Sequence, residues 1–180
     1  MTSLIKIIFL CLLAIGNLQA QKNDLKFEHI SIENGLSQST VHSIIQDKYG
    51  FIWIGTEDGL NRYDGYNFIV YRNDREDSNS IASNQIRTIM QDQNDILWIG
   101  TENGLCALTL FNNSETGIKQ EGFYNYLNDP EDSLSITDND IRTIYQDKFG
   151  VIWIGTAGGL NNVKMEFGKE SDSRDLDKIR

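Results

Sequence analysis

Apolar residues in this chain come in short blocks separated by polar stretches, and the blocks recur in a fixed order. Val41-His42-Ser43-Ile44-Ile45-Gln46-Asp47 returns as Ile86-Arg87-Thr88-Ile89-Met90-Gln91-Asp92, and again as Ile141-Arg142-Thr143-Ile144-Tyr145-Gln146-Asp147. Each copy is followed by a second block: Ile52-Trp53-Ile54-Gly55-Thr56, then Leu97-Trp98-Ile99-Gly100-Thr101, then Ile152-Trp153-Ile154-Gly155-Thr156. Two residues later comes Gly59-Leu60, Gly104-Leu105 or Gly159-Leu160. All three tryptophans fill one slot of this pattern, at steps of 45 and 55 residues. Self-similarity at such a period marks a repeat architecture, in which each unit buries its apolar face against its neighbours.

Each repeat reads as four short strands. The first is rich in β-branched residues, which favour a pleated surface. Asp-Lys-Tyr-Gly or Asp-Lys-Phe-Gly then supplies turn chemistry, with glycine free to take positive φ. In the second copy Asp95 stands where Gly50 and Gly150 stand; aspartate tolerates left-handed geometry better than most residues. The second strand is the tryptophan block, and the Glu-Asp-Gly or Glu-Asn-Gly that follows is a tight hairpin signal. The third strand starts at Leu60, Leu105 or Leu160. The fourth is an aromatic segment, Phe68-Ile69-Val70-Tyr71 or Phe123-Tyr124-Asn125-Tyr126. Matching these segments places the ten extra residues of the longer step between Leu105 and Phe123, read as a lengthened polar loop over residues 112–122. Four strands in roughly 40–50 residues is the signature of a β-propeller blade. The expected fold is therefore all-β: a partial propeller of three four-stranded antiparallel blades near residues 36–80, 81–135 and 136–167.

The ends of the array carry two further expectations. Phe27-Glu28-His29-Ile30-Ser31-Ile32 alternates like a strand, and is expected in a fourth-strand position, closing the ring from the N-terminal side. The third repeat lacks an aromatic fourth segment, and residues 168–180 form a charged tail without a strand pattern. Three blades are fewer than the 4–8 that typically close a propeller. The chain is therefore expected to be a truncated or split piece of a larger protein, or to join a second copy of itself head to tail in a six-bladed ring. Residues 1–20 have the layout of a secretory signal peptide: Lys6, a short apolar run, and Ala20 at a small-residue exit. That run is too short for a stable span, which needs about 20 apolar residues. No later stretch approaches that length, so the expected location is periplasmic or secreted.

Charge and composition then narrow the function. The 180 residues carry a formal net charge of −10, which repels phosphate backbones and argues against nucleic-acid binding. Two cysteines cannot staple a chain of this size; without residues 1–20 only Cys106 remains, so packing must supply the stability.

The repeated pattern I-x-x-I-x-Q-D-x-x-G-x-I-W-I-G-T-x-x-G-L resembles the two-component regulator propeller repeat. So does the linker Tyr126-Leu127-Asn128-Asp129-Pro130-Glu131-Asp132-Ser133-Leu134-Ser135. The stretch from Phe27 to Tyr71 looks like the start of the periplasmic sensor of Bacteroidetes hybrid two-component systems. The resemblance covers residues 26–167. It implies a sensing module that in its family accompanies further blades, a membrane helix, a histidine kinase and a response regulator. Its implied ligand is an oligosaccharide from polysaccharide breakdown, and its implied partners are the remaining sensor blades. This chain departs from the pattern: it has fewer blades, no kinase motif and no membrane span after the propeller.

The candidate chemistry is weighed against packing. Trp53, Trp98 and Trp153 could stack on sugars, but a tryptophan at one place in every blade is better read as a packing element between blades. Gly55, Gly100 and Gly155 belong to the same structural set. Asp47, Asp92 and Asp147 each follow a first strand and are read as turn caps rather than acid–base groups. The acidic loops 74–77 and 129–132 lack the pattern of a helix–loop–helix calcium site. Cys106 stands where Asn61 and Asn161 stand and is read as a small strand filler. No hydrolase, zinc-protease, phosphate-loop or redox motif is present, so no catalytic, cofactor or metal residue is expected. A propeller lyase or a quinone-dependent enzyme would need a complete ring and convergent groups. Binding specificity should lie where the repeats differ: His42 against Arg87 and Arg142, Arg62-Tyr63-Asp64 against Ala107-Leu108 and Asn162-Val163, and the 112–122 stretch.

Overall fold

The computed structural model describes residues 25–112 and 119–163. Strands β1 (Val41–Gln46), β2 (Ile52–Thr56), β3 (Gly59–Tyr63) and β4 (Phe68–Tyr71) form blade 1. Strands β5 (Ile86–Gln91), β6 (Leu97–Thr101), β7 (Gly104–Asn112) and β8 (Lys119–Tyr126) form blade 2. Among the described residues blade 3 has three strands, β9 (Ile141–Gln146), β10 (Ile152–Thr156) and β11 (Leu160–Val163). Neighbours in sequence pair antiparallel within each sheet. Blades meet through their first strands, β1 against β5 and β5 against β9, and through each second strand against the next first strand. These are propeller blades packed face to face.

The period of two explains why the tryptophan strand is apolar throughout. Successive side chains of a strand point to opposite faces, and blade 2 has a blade on each side. Leu97 and Ile99 of β6, with Cys106 and Leu108 of β7, join Trp53, Leu60, Ile86 and Ile89 in the cluster between blades 1 and 2. The alternate residues Trp98, Leu105 and Ala107 join Ile141, Ile144, Ile152 and Ile154 in the cluster between blades 2 and 3. A strand covered on both faces has no polar side to show.

Two expectations are corrected. Residues 25–31 are not a strand: they run outside any sheet, and a single 3-10 turn follows at Ile32–Asn34, capped by Ser31. Phe27 is 79% exposed and Ile30 49%. Alternation alone makes no strand without an edge to pair with, and none of the described strands pairs with this segment. The polar stretch 112–122 is not wholly a loop. The β7–β8 ladder continues from Thr109↔Gly122 to Asn112↔Lys119, so much of the insertion lengthens a hairpin. Residues 113–118 lie outside the described residues, as do the segments expected to be a signal peptide (1–20) and a charged tail (168–180).

Candidate functional site

A recurring frame holds each blade at one end. Asp47 Oδ1 accepts the amides of Tyr49 (2.9 Å) and Phe51 (3.0 Å), while its Oδ2 accepts the Trp53 indole N–H at 2.8 Å. Asp92 does the same for Asn94, Ile96 and Trp98 (3.1 Å), and Asp147 for Phe149, Val151 and Trp153 (3.0 Å). One carboxylate thus caps the turn and fixes the tryptophan. The Trp153 indole bond, with the turn amides, holds the Asp147 carboxyl below the usual range. Asp95 takes the left-handed geometry its turn requires, at φ 68°. Trp53 and Trp98 are 4% and 1% exposed and Trp153 is half-buried. Gly55 and Gly100 admit the next blade: a Cβ at either would lie 2.5 Å from Ile86 Cγ2 or 2.7 Å from Ile141 Cγ2. Trp53, Trp98, Gly55 and Gly100 thus face neighbouring residues of the blades, while Trp153 and Gly155 lie on a partly open face.

The opposite end of the blades differs from repeat to repeat. In β1, β5 and β9 the pairing register skips one residue, so that a bulge leaves His42, Arg87 and Arg142 outside the ladder. Bulges re-aim side chains and recur beside functional sites. His42 Nε2 lies 3.5 Å from Glu57 Oε1, and Arg87 Nη2 lies 3.3 Å from Glu102 Oε2. In blade 3 Ala157 replaces the glutamate, and Arg142 Nη2 instead donates to Asp140 Oδ2 at 2.5 Å. Arg87 Nε faces Asp140 Oδ1 across 3.9 Å, and neither atom has a hydrogen-bond partner. Arg87 and Arg142 are therefore brought together through Asp140, while His42 keeps its own pair with Glu57. Glu57, Glu102 and Asp140 were not legible as site residues. For Glu57 and Glu102 the signal was a carboxylate 15 residues after the basic position, carried back beside it by the β1–β2 or β5–β6 hairpin.

The other variable positions do not join this rim. Arg62 lies over the rings of Phe51, Trp53 and Tyr71 at 5.0–5.9 Å and covers an aromatic face within blade 1. Cys106 is fully buried and its sulfur accepts the Ala82 amide at 3.3 Å. Burial pushes its thiol up to about 12, so it is no nucleophile at neutral pH. The equivalent Asn61 and Asn161 make the same backbone contact, with Ser37 and Thr137. The acidic loops are occupied by their own backbone: Asp74 accepts the Glu76 amide, Asp129 that of Glu131, and Asp132 that of Leu134. Among the described residues no group of acids, histidines and cysteines could hold a metal ion.

Comparison with known proteins bears on this geometry. The two component regulator propeller model matches residues 35–58, 80–103 and 135–158. A protein named histidine kinase P4, from Formosa agariphila, is 49% identical over 75 residues, covering 42% of this chain and 5% of that protein. The extracellular domain of a hybrid two component system from B. thetaiotaomicron superposes at TM-score 0.65 with 34% identity, covering 77% of this chain and 19% of that one. A second such domain from the same organism gives 0.43 and 24%, covering 76% of this chain and 23% of that one. The chain thus spans 5% of the kinase and 19% of the first solved domain.

Proposed function

The three blades belong to the two component regulator propeller repeat family, and on that premise we propose that the chain is an exported, non-catalytic sensing segment whose bulged rim recognises an oligosaccharide. Its kinship with extracellular domains of hybrid two component systems supports a place outside the cytoplasm, as does the leader-like pattern of residues 1–20. No helix among the described residues is long and apolar enough to cross a membrane. Signal output would belong to kinase and response-regulator partners.

The observation that carries this reading is the rim of Arg87, Glu102, Asp140 and Arg142. A sugar presents hydroxyls that each donate and accept, and alternating guanidinium and carboxylate groups meet both demands without a net charge at the site. Arg87 Nε and Asp140 Oδ1 are enclosed 3.9 Å apart, so a ligand would meet the outer parts of this rim, where Arg142 and Glu102 are the most exposed side chains. Titration calorimetry against a panel of neutral and acidic oligosaccharides tests the proposal. At least one should bind, and Arg87→Ala should weaken it by more than tenfold while the melting temperature holds. Binding unchanged in Arg87→Ala, or no binding across the panel, would contradict it.

A further inference from the structure

Two asparagines of the sequence are followed by glycine, Asn34 and Asn103, and both stand in the same local sequence, Glu-Asn-Gly-Leu. The backbone nitrogen of the next residue can attack an asparagine side-chain amide, and glycine in that place offers the least steric resistance. Both asparagines are exposed. What separates the two sites is what the reacting atoms are already bonded to.

At Asn34 the side-chain Oδ1 accepts the Ser31 amide at 2.9 Å and the Ser31 hydroxyl at 3.3 Å. The Gly35 amide donates to Ile32 O at 3.1 Å. Both reacting groups are thus tied down within the one short turn that carries them. At Asn103 the side-chain amide makes no hydrogen bond among the described residues. Its nucleophile is held from another blade: the Gly104 amide donates to Asn139 O at 2.7 Å. Asn139 lies two residues before Ile141, whose Cγ2 would be 2.7 Å from a Cβ at Gly100. The seam between blades 2 and 3 therefore closes over the Gly104 nitrogen. In blade 1 the equivalent of Asn103 is Asp58, whose carboxylate is taken by Arg72 at 2.9 Å, and in blade 3 it is Gly158. Among the described blades only blade 2 places an untethered side-chain amide at this turn.

We propose that Asn103 is a spontaneous modification site, and that opening of the seam between blades 2 and 3 sets its rate. Local opening, of the kind native proteins undergo without unfolding, takes the Gly104 amide off Asn139 O. The Gly104 nitrogen gives its proton to base and bonds to Asn103 Cγ. The Cγ–Nδ2 bond breaks, the nitrogen takes up a proton and ammonia leaves, which closes a succinimide ring. Water then adds to either ring carbonyl and cleaves its C–N bond, giving aspartate or isoaspartate at this position. Either product sets a new carboxylate beside Glu102, which accepts Arg87 Nη2 at 3.3 Å. Isoaspartate also adds one carbon to the backbone of a two-residue turn whose flanking residues, Thr101 and Gly104, pair directly. Gly104 has no room to absorb it: at φ 128°, a Cβ there would lie 2.5 Å from Leu127 Cδ2 and 3.2 Å from Tyr126 O. The bond to Asn139 is then not remade, so the product holds loose the seam whose opening formed it. This chemistry is independent of whether the rim binds a sugar.

Peptide mass spectrometry tests it on the purified full chain, incubated at mildly alkaline pH both folded and in denaturing urea, with enzymatic methylation to count isoaspartate. In urea the two Glu-Asn-Gly-Leu sites should convert at equal rates. In the folded chain Asn103 should gain one mass unit at least tenfold faster than Asn34. Ile141→Ala, which removes packing across the seam, should speed Asn103 several-fold and leave Asn34 unchanged. A rise at Asn34 as well would mean that this variant has unfolded; Gly100→Ala, which pushes on Ile141 from the other side, then makes the same comparison. Conversion of Asn34 first or at an equal rate in the folded chain would overturn the proposal. So would no product at Asn103 over ten half-times of the unfolded chain, or a rate at Asn103 indifferent to the seam variants.

Discussion

Blades 2 and 3 carry almost the same sequence through their first two strands, yet their interiors differ. Ile86-Arg87-Thr88-Ile89 faces Ile141-Arg142-Thr143-Ile144, and Leu97-Trp98-Ile99-Gly100-Thr101 faces Ile152-Trp153-Ile154-Gly155-Thr156. Trp98 and Thr101 are buried, while Trp153 and Thr156 are half-exposed. Leu105 is 2% exposed and Leu160 65%. The residues are not the cause, since they match. What differs, among the described residues, is that a blade and a fourth strand cover the face of blade 2 and neither covers that of blade 3. In an array of this kind stability is a sum of each unit's own term and an interface term with its neighbour. The same tryptophan is thus a core residue in one blade and a partly open face in the next.

Paired substitutions in dilute, monomeric protein would sharpen or break that comparison. Trp98→Ala should cost roughly 3–5 kcal/mol, the usual range for emptying a buried aromatic site. Trp153→Ala should cost well under half as much, most of it the lost Asp147 bond; urea unfolding of both measures the gap. Gly100→Ala should cost about 1–3 kcal/mol, because its Cβ would strike Ile141 across the interface and overpacked cores lose that much. Both glycines crowd a threonine of their own blade (Thr88 at 2.6 Å, Thr143 at 2.8 Å), but among the described residues Gly155→Ala meets no second blade, and its melting temperature should fall less.

The smallest effect is acid sensitivity in blade 3. The Asp147 carboxyl is held below its ordinary range by the Trp153 indole and the turn amides. Its folded value lies below its unfolded one, so its stabilisation is complete above the ordinary carboxylate range. It is lost as pH falls through the lowered value. Melting temperatures followed from about pH 5 downward should drop less steeply in Asp147→Asn than in wild type, in the region where carboxylates titrate. Parallel slopes would remove Asp147 from the account.

The blade pattern was legible because two periods coincide: alternation of side chains within a strand and recurrence of whole strands. The extension of β7 and β8 was hidden because ladder bonding is backbone chemistry. Lys119 and Gln120 bring the same amides to a sheet as valine would, yet read as loop. The alternation of Phe27 with Ile30 and Ile32 was visible, but a strand exists only beside an edge, and sequence does not give the edge's position. At the candidate rim, the divergence of His42 from Arg87 and Arg142 was readable. Their carboxylate partners were not, because the hairpin that returns Glu57 or Glu102 to its basic partner is a tertiary fact. The bulge that frees these side chains leaves no mark in residue type. The Asp–Trp bond spans six residues in every blade, but its two ends were read as separate roles, one in a turn and one in a core.

The central claim is that burial in this protein is conferred by the neighbouring strand and blade rather than by the residue itself, and Leu105 against Leu160 tests it most directly. The two residues are identical and hold the same position after the second strand; among the described residues they differ in the following blade and in the fourth strand β8, whose Tyr126 pairs with Leu105. Urea unfolding of Leu105→Ala and Leu160→Ala in dilute protein measures those two neighbours together. The account predicts a loss of about 2–5 kcal/mol for Leu105→Ala and a change within about 0.5 kcal/mol for Leu160→Ala. Equal losses at the two positions would contradict it.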